Sequence, residues 1–141
     1  MVEYNALFFG LYELFFKVMR EEVGEEKALQ IFRKVMETGL APAFGADFKK
    51  GKIDEFVRIV GGVDEAVGLK VEFIKISENE FYFRLHNDIF PNLKGLVNHD
   101  KIDAIYMPFK VSYILGGDWG YRCTKHLWNN DPYIEFHIFK K

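Results

Sequence analysis

The closing stretch "RCTKHLWNNDPYIEFHIFKK", Arg122 to Lys141, holds the groups best suited to chemistry. It carries the only cysteine, Cys123, and two of the four histidines, His126 and His137, with Arg122, Thr124 and Glu135 close by. Imidazoles exchange protons near neutrality, and a guanidinium holds a carboxylate through paired charge-assisted bonds. Whether these side chains converge depends on backbone register. "NNDP" is turn chemistry between two strand-like runs, so a hairpin is predicted. With a four-residue loop, Asn129 to Pro132, Trp128 lies across from Tyr133. One face then carries Cys123, Lys125 and Leu127 with Ile134, Phe136 and Ile138. The other carries Arg122, Thr124, His126 and Trp128 with Tyr133, Glu135, His137 and Phe139. In this register His126 faces Glu135 and Thr124 faces His137. A three-residue loop would mix the faces, because a one-residue slip turns every side chain over. The four-residue register is therefore preferred.

The expected ligand-binding residues are Arg122, Thr124, His126, Glu135 and His137, joined by His86 from "RLHNDIFPN", where a strand ends. Cys123 is expected to face the core as a small hydrophobe. The plainer reading of the polar face is the solvated side of a hairpin, with cross-strand pairs worth ~0.2–1 kcal/mol each. The plainer reading of Asn87-Asp88 is an Asx-type turn, and His99-Asp100 reads as helix-start chemistry. No Cys-x-x-Cys or His-Glu-x-x-His occurs, and a metal is not expected even though His126, Glu135 and His137 can approach one another. A P-loop, a dinucleotide fingerprint and a nucleophile elbow are absent, so no cofactor is expected. No residue is assigned to catalysis.

The elements that must position these groups run helices first, strands later. Leu7, Leu11, Leu14, Phe15 and Val18 have helical spacing over about residues 3–22, and Phe8, Tyr12, Phe16 and Met19 widen the apolar arc. That width predicts that a second copy covers the first helix. A second helix starts near Glu25 and is expected to break around Gly39 and Pro42. A third starts at Ile53 or Asp54, carries Phe56, Val57 and Val60, and falters at Gly61-Gly62, where "GGVD" reads as a turn, with resumption through "VDEAVG" left open. "LKVEFIKIS" and "EFYFRLHN" then read as a hairpin, and "DIFPNLKGLVN" as a connection with one helical turn. His99 to about Leu115 reads as a helix that Pro108 kinks or splits. The fold class predicted is α+β, with N-terminal helices packed on an antiparallel sheet of about four strands, in one domain over residues 1–141.

Composition narrows the classes further. Net charge is −2, from 19 basic and 21 acidic residues, without a basic stripe, so no nucleic-acid partner is expected. The apolar N-terminus is interrupted by Glu13 and falls short of the ~18 apolar residues of a membrane span. With a single cysteine, a reducing cytoplasmic location is the expectation. The chain has 15 Phe, 7 Tyr and 2 Trp, which points to a bulky core, an aromatic-lined pocket or a buried interface.

The tail resembles the L-2-amino-thiazoline-4-carboxylic acid hydrolase-like family and, more distantly, small-molecule-binding domains of the vinyl-reductase type. Thr124-Lys125, Leu127, Asn130-Asp131-Pro132 and Phe136 stand in the family's pattern of a Thr-Lys-like strand, a Gly-Asp turn and a closing strand. "RLHNDIFPNLKGL" is similar to the strand that there ends at a Cys-Pro pair. Three positions depart: Asn130 replaces the turn glycine, Ile134 the tail cysteine, and Phe90-Pro91 the Cys-Pro pair. The resemblance implies a ligand pocket more than the hydrolase activity. The reading is a small-molecule-binding domain of the sensor or carrier type. The alternatives are a hydrolase opening a small nitrogen heterocycle, with His126 or His137 as base and Arg122 holding a carboxylate, and an interaction protein dimerising through its first helix.

Overall fold

The computed structural model describes residues 4–141. Helix α1 spans Ala6–Val23 and is capped by Asn5, whose side chain accepts from the Phe8 amide at 3.0 Å. Gly24, at φ 85°, ends it, and α2, Glu25–Phe44, begins at once with Glu25 and Glu26 in its first turn. That left-handed joint folds the two helices against each other, with Phe16 and Phe32 5.7 Å apart and Tyr12 stacked on Phe32. Helix α3 spans Ile53–Ala66. Strands β1, Val71–Ser77, and β2, Glu80–Leu85, form the expected hairpin with Phe73 opposite Phe83. A single 3₁₀ turn, Pro91–Leu93, follows. Helices α4, His99–Asp103, and α5, Met107–Ile114, precede β3, Trp119–Lys125, and β4, Ile134–Lys140. The sheet order is β1-β2-β4-β3, antiparallel throughout, so the last strand fills the gap between β2 and β3. This is the α+β architecture the switch of periodicity predicts.

Three expectations about helices are corrected. Helix α2 runs through Pro42, because a proline in the last turn removes one backbone bond near the end. The turn is held by Phe44, buried and stacked on Phe109. Helix α3 runs through Gly61-Gly62. A Cβ on Gly61 would lie 3.4 Å from the Phe73 ring, so this glycine lets the helix sit close on β1. The third concerns α1. Phe16 is fully buried within the chain, and Tyr12 and Met19 pack against its core, while Leu7, Leu11, Leu14, Phe15 and Val18 are exposed. The buried arc contains Glu13, whose carboxylate accepts from the backbone and side-chain amides of Asn92 at 2.7 and 3.2 Å. That distant partner is what lets a carboxylate lie on the inward side. Pro108 splits the segment from His99 to Leu115 into α4 and α5 and sits in the first turn of α5, where its missing N–H leaves no helical bond unmade. No helix of the described residues is long and apolar enough to cross a membrane.

The inner face of the sheet carries Phe81, Phe83, Leu85, Ile134, Phe136 and Ile138, all buried. Phe56 of α3 meets Phe81 at 5.1 Å and Phe83 at 6.0 Å, and Tyr106, just before α5, meets Phe136 edge-on. Phe83→Ala opens a void at the centre of this layer and is expected to cost about 3–5 kcal/mol, measured by urea unfolding.

Candidate functional site

The tail hairpin has a different register from the expected one. Arg122 pairs with His137, Cys123 with Phe136 and Lys125 with Glu135, with an irregularity between Cys123 and Lys125. The loop is longer than "NNDP". Residues Leu127–Asn129 make a 3₁₀ turn, Asn130 is left-handed at φ 65°, and Asp131 accepts from the His126 amide at 2.8 Å. Up to Cys123 the pairing is shifted by two residues, which preserves the faces; beyond the irregularity Lys125 lies opposite Glu135 with its ammonium over the Tyr133 ring, on the outer face and not, as expected, on the face of Cys123. Cys123 packs against the core, and burial pushes its thiol up to about 12, far from a reactive thiolate.

The outer sheet face collects Arg122, Thr124, Glu135 and His137, with His86 at its edge; Thr124 and Glu135 bond each other, the others turn to neighbouring strands, and His137 Nδ1 is buried without a partner among the described residues. Glu135 takes Arg84 at 2.7 Å and the Thr124 hydroxyl at 2.8 Å. His137 contacts Glu80 at 2.8 Å and stacks on Tyr82, while His86 contacts Glu72 at 2.6 Å. The Arg122 guanidinium lies over Phe139. Burial works to raise the Glu135 carboxyl, but the bonds from Arg84 and Thr124 outweigh it and hold it below its usual range.

His126 does not join this face. It is 3% exposed and stacks on His99, with ring centroids 4.1 Å apart, and it does not meet Glu135 as expected. Asp103 lies 3.2 Å from His99 Nδ1 and 3.7 Å from His126 Nε2, and accepts from the Tyr106 hydroxyl at 3.4 Å. His99, Asp103 and His126 are close enough together to suggest metal ligands. Protonation argues otherwise. The Trp128 amide donates to His126 Nδ1 at 3.0 Å, so the neutral ring carries its hydrogen on Nε2, facing Asp103. Ligating through Nε2 would move that hydrogen to Nδ1 and break the bond from the Trp128 amide. The cluster reads as a hydrogen-bonded post joining α4 to the tail loop.

Two open hollows of about 530 and 430 Å³ lie beside β3 and beside His99, and a smaller, more enclosed and more apolar one lies among the helices. A cavity of about 280 Å³ is bounded by Phe8, Phe9 and Tyr12 of α1, Val35, Met36 and Leu40 of α2, Val63 and Asp64 of α3, Ile89 and Phe90, and Tyr106 and Lys110. Phe8 and Val35 are part-exposed at its outer side, while Asp64 and Lys110 are buried. Lys110 Nζ is 3.5 Å from Asp64 Oδ1 and 5.0 Å from the Tyr106 ring centroid. Asp64 Oδ2 is buried and has no hydrogen-bond partner among the described residues. Asp64 also sits in the last turn of α3, where the helix dipole disfavours a negative charge. Burial pushes its carboxyl up, against the pull of Lys110. An under-bonded charged pair on an otherwise apolar wall offers an acceptor and a donor to an entering group.

Sequence reasoning missed Asp64 and Lys110. The legible signal was Lys110 itself, the single charge in "IYMPFKVSYIL", with Tyr106, Met107, Tyr113 and Ile114 as helical neighbours. Asp64 was hidden in a glycine-rich stretch read as a turn. No known protein family and no curated protein matches the chain.

Two pH-dependent outcomes follow. In Lys110→Met, Asp64 loses its counter-charge, and breaking a buried pair is expected to cost about 3–5 kcal/mol. A carboxyl raised in the folded state stabilises below its unfolded pKa and loses that contribution as pH rises through its folded one. The Tm deficit of Lys110→Met, followed by circular dichroism, should therefore widen from acid towards neutral pH; parallel curves would contradict it. Glu135 behaves oppositely, since its lowered carboxyl stabilises only when ionised. Glu135→Gln should be less stable than the parent at neutral pH, with the gap closing on acidification through the carboxylate range.

Proposed function

We propose that this chain is a small-molecule-binding domain of the sensor or carrier type, and that its ligand occupies the cavity between α1, α2, α3 and the segment around Tyr106 and Lys110. The observation that carries the reading is the buried Asp64–Lys110 pair on an apolar, aromatic wall, with Asp64 Oδ2 left without a partner. A hydroxyl fits that pair, because it donates to the free oxygen and accepts from the ammonium with one group. Phe8, Phe9, Tyr12 and Phe90 suit the flat body of a single or fused aromatic ring. The class inferred is a small apolar molecule, aromatic by preference, with one hydroxyl head. The resemblance of the tail carries the same expectation of a ligand pocket.

The site favours binding over hydrolysis. The outer-face residues Arg122 and His137 lie on the sheet, and His126 is held by Asp103 and the Trp128 amide; none of them lines the cavity. Calorimetric titration with naphthol and with naphthalene tests the proposal. Naphthol is expected to bind about tenfold tighter, the worth of roughly 1.4 kcal/mol. In the double variant Asp64→Leu/Lys110→Met, which replaces the pair by apolar groups and so avoids a lone buried charge, the preference for naphthol should vanish while naphthalene still binds. Equal affinity of the parent for both probes, or no binding of either, would reject the reading.

A further inference from the structure

Helix α1 leaves an apolar stripe uncovered. Leu7 is 86% exposed, Phe15 61%, Leu11 and Leu14 57% each, and Val18 48%. Leu7, Leu11, Leu14 and Val18 follow one another at steps of four, three and four residues. That is the heptad spacing of a seam that packs along another helix, knobs into holes. The inward arc of α1 is separate, made by Phe9, Phe16, Tyr12 and Met19, so the stripe is not surplus from the chain's own core. Together the exposed side chains offer on the order of 600 Å² of apolar surface per copy, at the upper end of what a lone chain leaves to water and the larger part of the about 800 Å² per partner of a standard interface.

Gly10 borders the stripe beside Leu7 and Leu14, and a Cβ there would meet nothing within 4 Å among the described residues, so the edge of the seam has room for a second backbone. A lipid surface is the less suitable cover. The last turns of α1 carry Glu21 and Glu22 beside Lys17 and Arg20, and Arg20 lies 3.7 Å from Glu25. A helix lying on a membrane would instead present a basic rim.

The stripe is continuous with the mouth of the cavity. Phe8 is 40% exposed, lines the cavity, and is on the same side of α1 as Leu11 and Phe15 by helical spacing. Val35, on α2 across the mouth, is half exposed as well. We propose that two copies of the chain pair through α1 about a twofold axis, and that the partner's helix roofs the cavity, so that ligand binding and pairing support each other. The roofing rests on the binding reading above; the pairing does not. If the ligand is held more tightly under the roof, the same free energy must favour the dimer, because linkage is reciprocal.

The test is sedimentation velocity and naphthol titration on the intact chain and on the double variant Leu11→Glu/Leu14→Glu. These two leucines do not line the cavity, and both are exposed, so the variant keeps the fold; an unchanged far-ultraviolet circular dichroism spectrum and Tm confirm it. The parent is expected to be a dimer at micromolar concentration, the variant a monomer, and naphthol affinity about tenfold lower in the variant. A parent that stays monomeric at about 100 µM, or that joins phosphatidylcholine vesicles instead of itself, overturns the pairing. A monomeric variant that binds naphthol as tightly as the dimeric parent overturns the roof. A dimer that takes neither naphthol nor naphthalene refutes the binding reading and the roof with it, and supports the pairing.

Discussion

Phe56 of α3 is fully buried between Phe73 of β1 and Phe81 and Phe83 of β2, and the relation of helices to sheet depends on that contact. An antiparallel sheet with one apolar face must cover it, and this helix does so over β1 and β2. Gly61, one turn further along, lets α3 come close enough for Phe73 to pack beneath it. Once α3 is seated, the other helices are placed relative to it and not to the sheet alone. The α1–α2 pair leans on α3 and on Phe90, while α5 lies against β3. Large flat rings meeting edge-on fix distances between layers but do not fill every corner between helices. The cavity is one such corner, and its wall is the side of α3 that carries Asp64.

Two charged pairs show how environment divides similar chemistry. Arg84 and Glu135 meet at 2.7 Å on the outer sheet face, with Thr124 adding a bond, and the carboxyl is held down. Lys110 and Asp64 are 3.5 Å apart inside the helical layer, one oxygen of Asp64 has no partner, and burial pushes its carboxyl up. The first pair has little capacity left for a ligand. The second is costly to bury and incompletely satisfied, which is the usual condition of groups kept for something other than stability. The buried His99–Asp103–His126 cluster is a third case. Its proton positions are set by the Trp128 amide and by Asp103 itself, and the result is a brace between α4 and the tail loop.

The order and kind of the main elements were legible in the sequence, because period is a local property. The change from helical to alternating spacing near Leu69, the two hairpins and the split at Pro108 are all present in the chain. The inward direction of Cys123 was legible too, since alternation along a strand survives a two-residue shift of its partner. What tertiary structure alone decided involves partners far apart in sequence. Which stripe of α1 turns inward depended on Asn92, in the 3₁₀ turn Pro91–Leu93, whose backbone and side-chain amides donate to the buried Glu13 carboxylate. The register of the tail depended on Asp131 closing a longer loop onto the His126 amide, which carried His126 away from Glu135 to Asp103. The pairing of Asp64 with Lys110, on helices separated by a hairpin and a long connection, has no signature in spacing, because two charges meet there only after the apolar layers around them have packed.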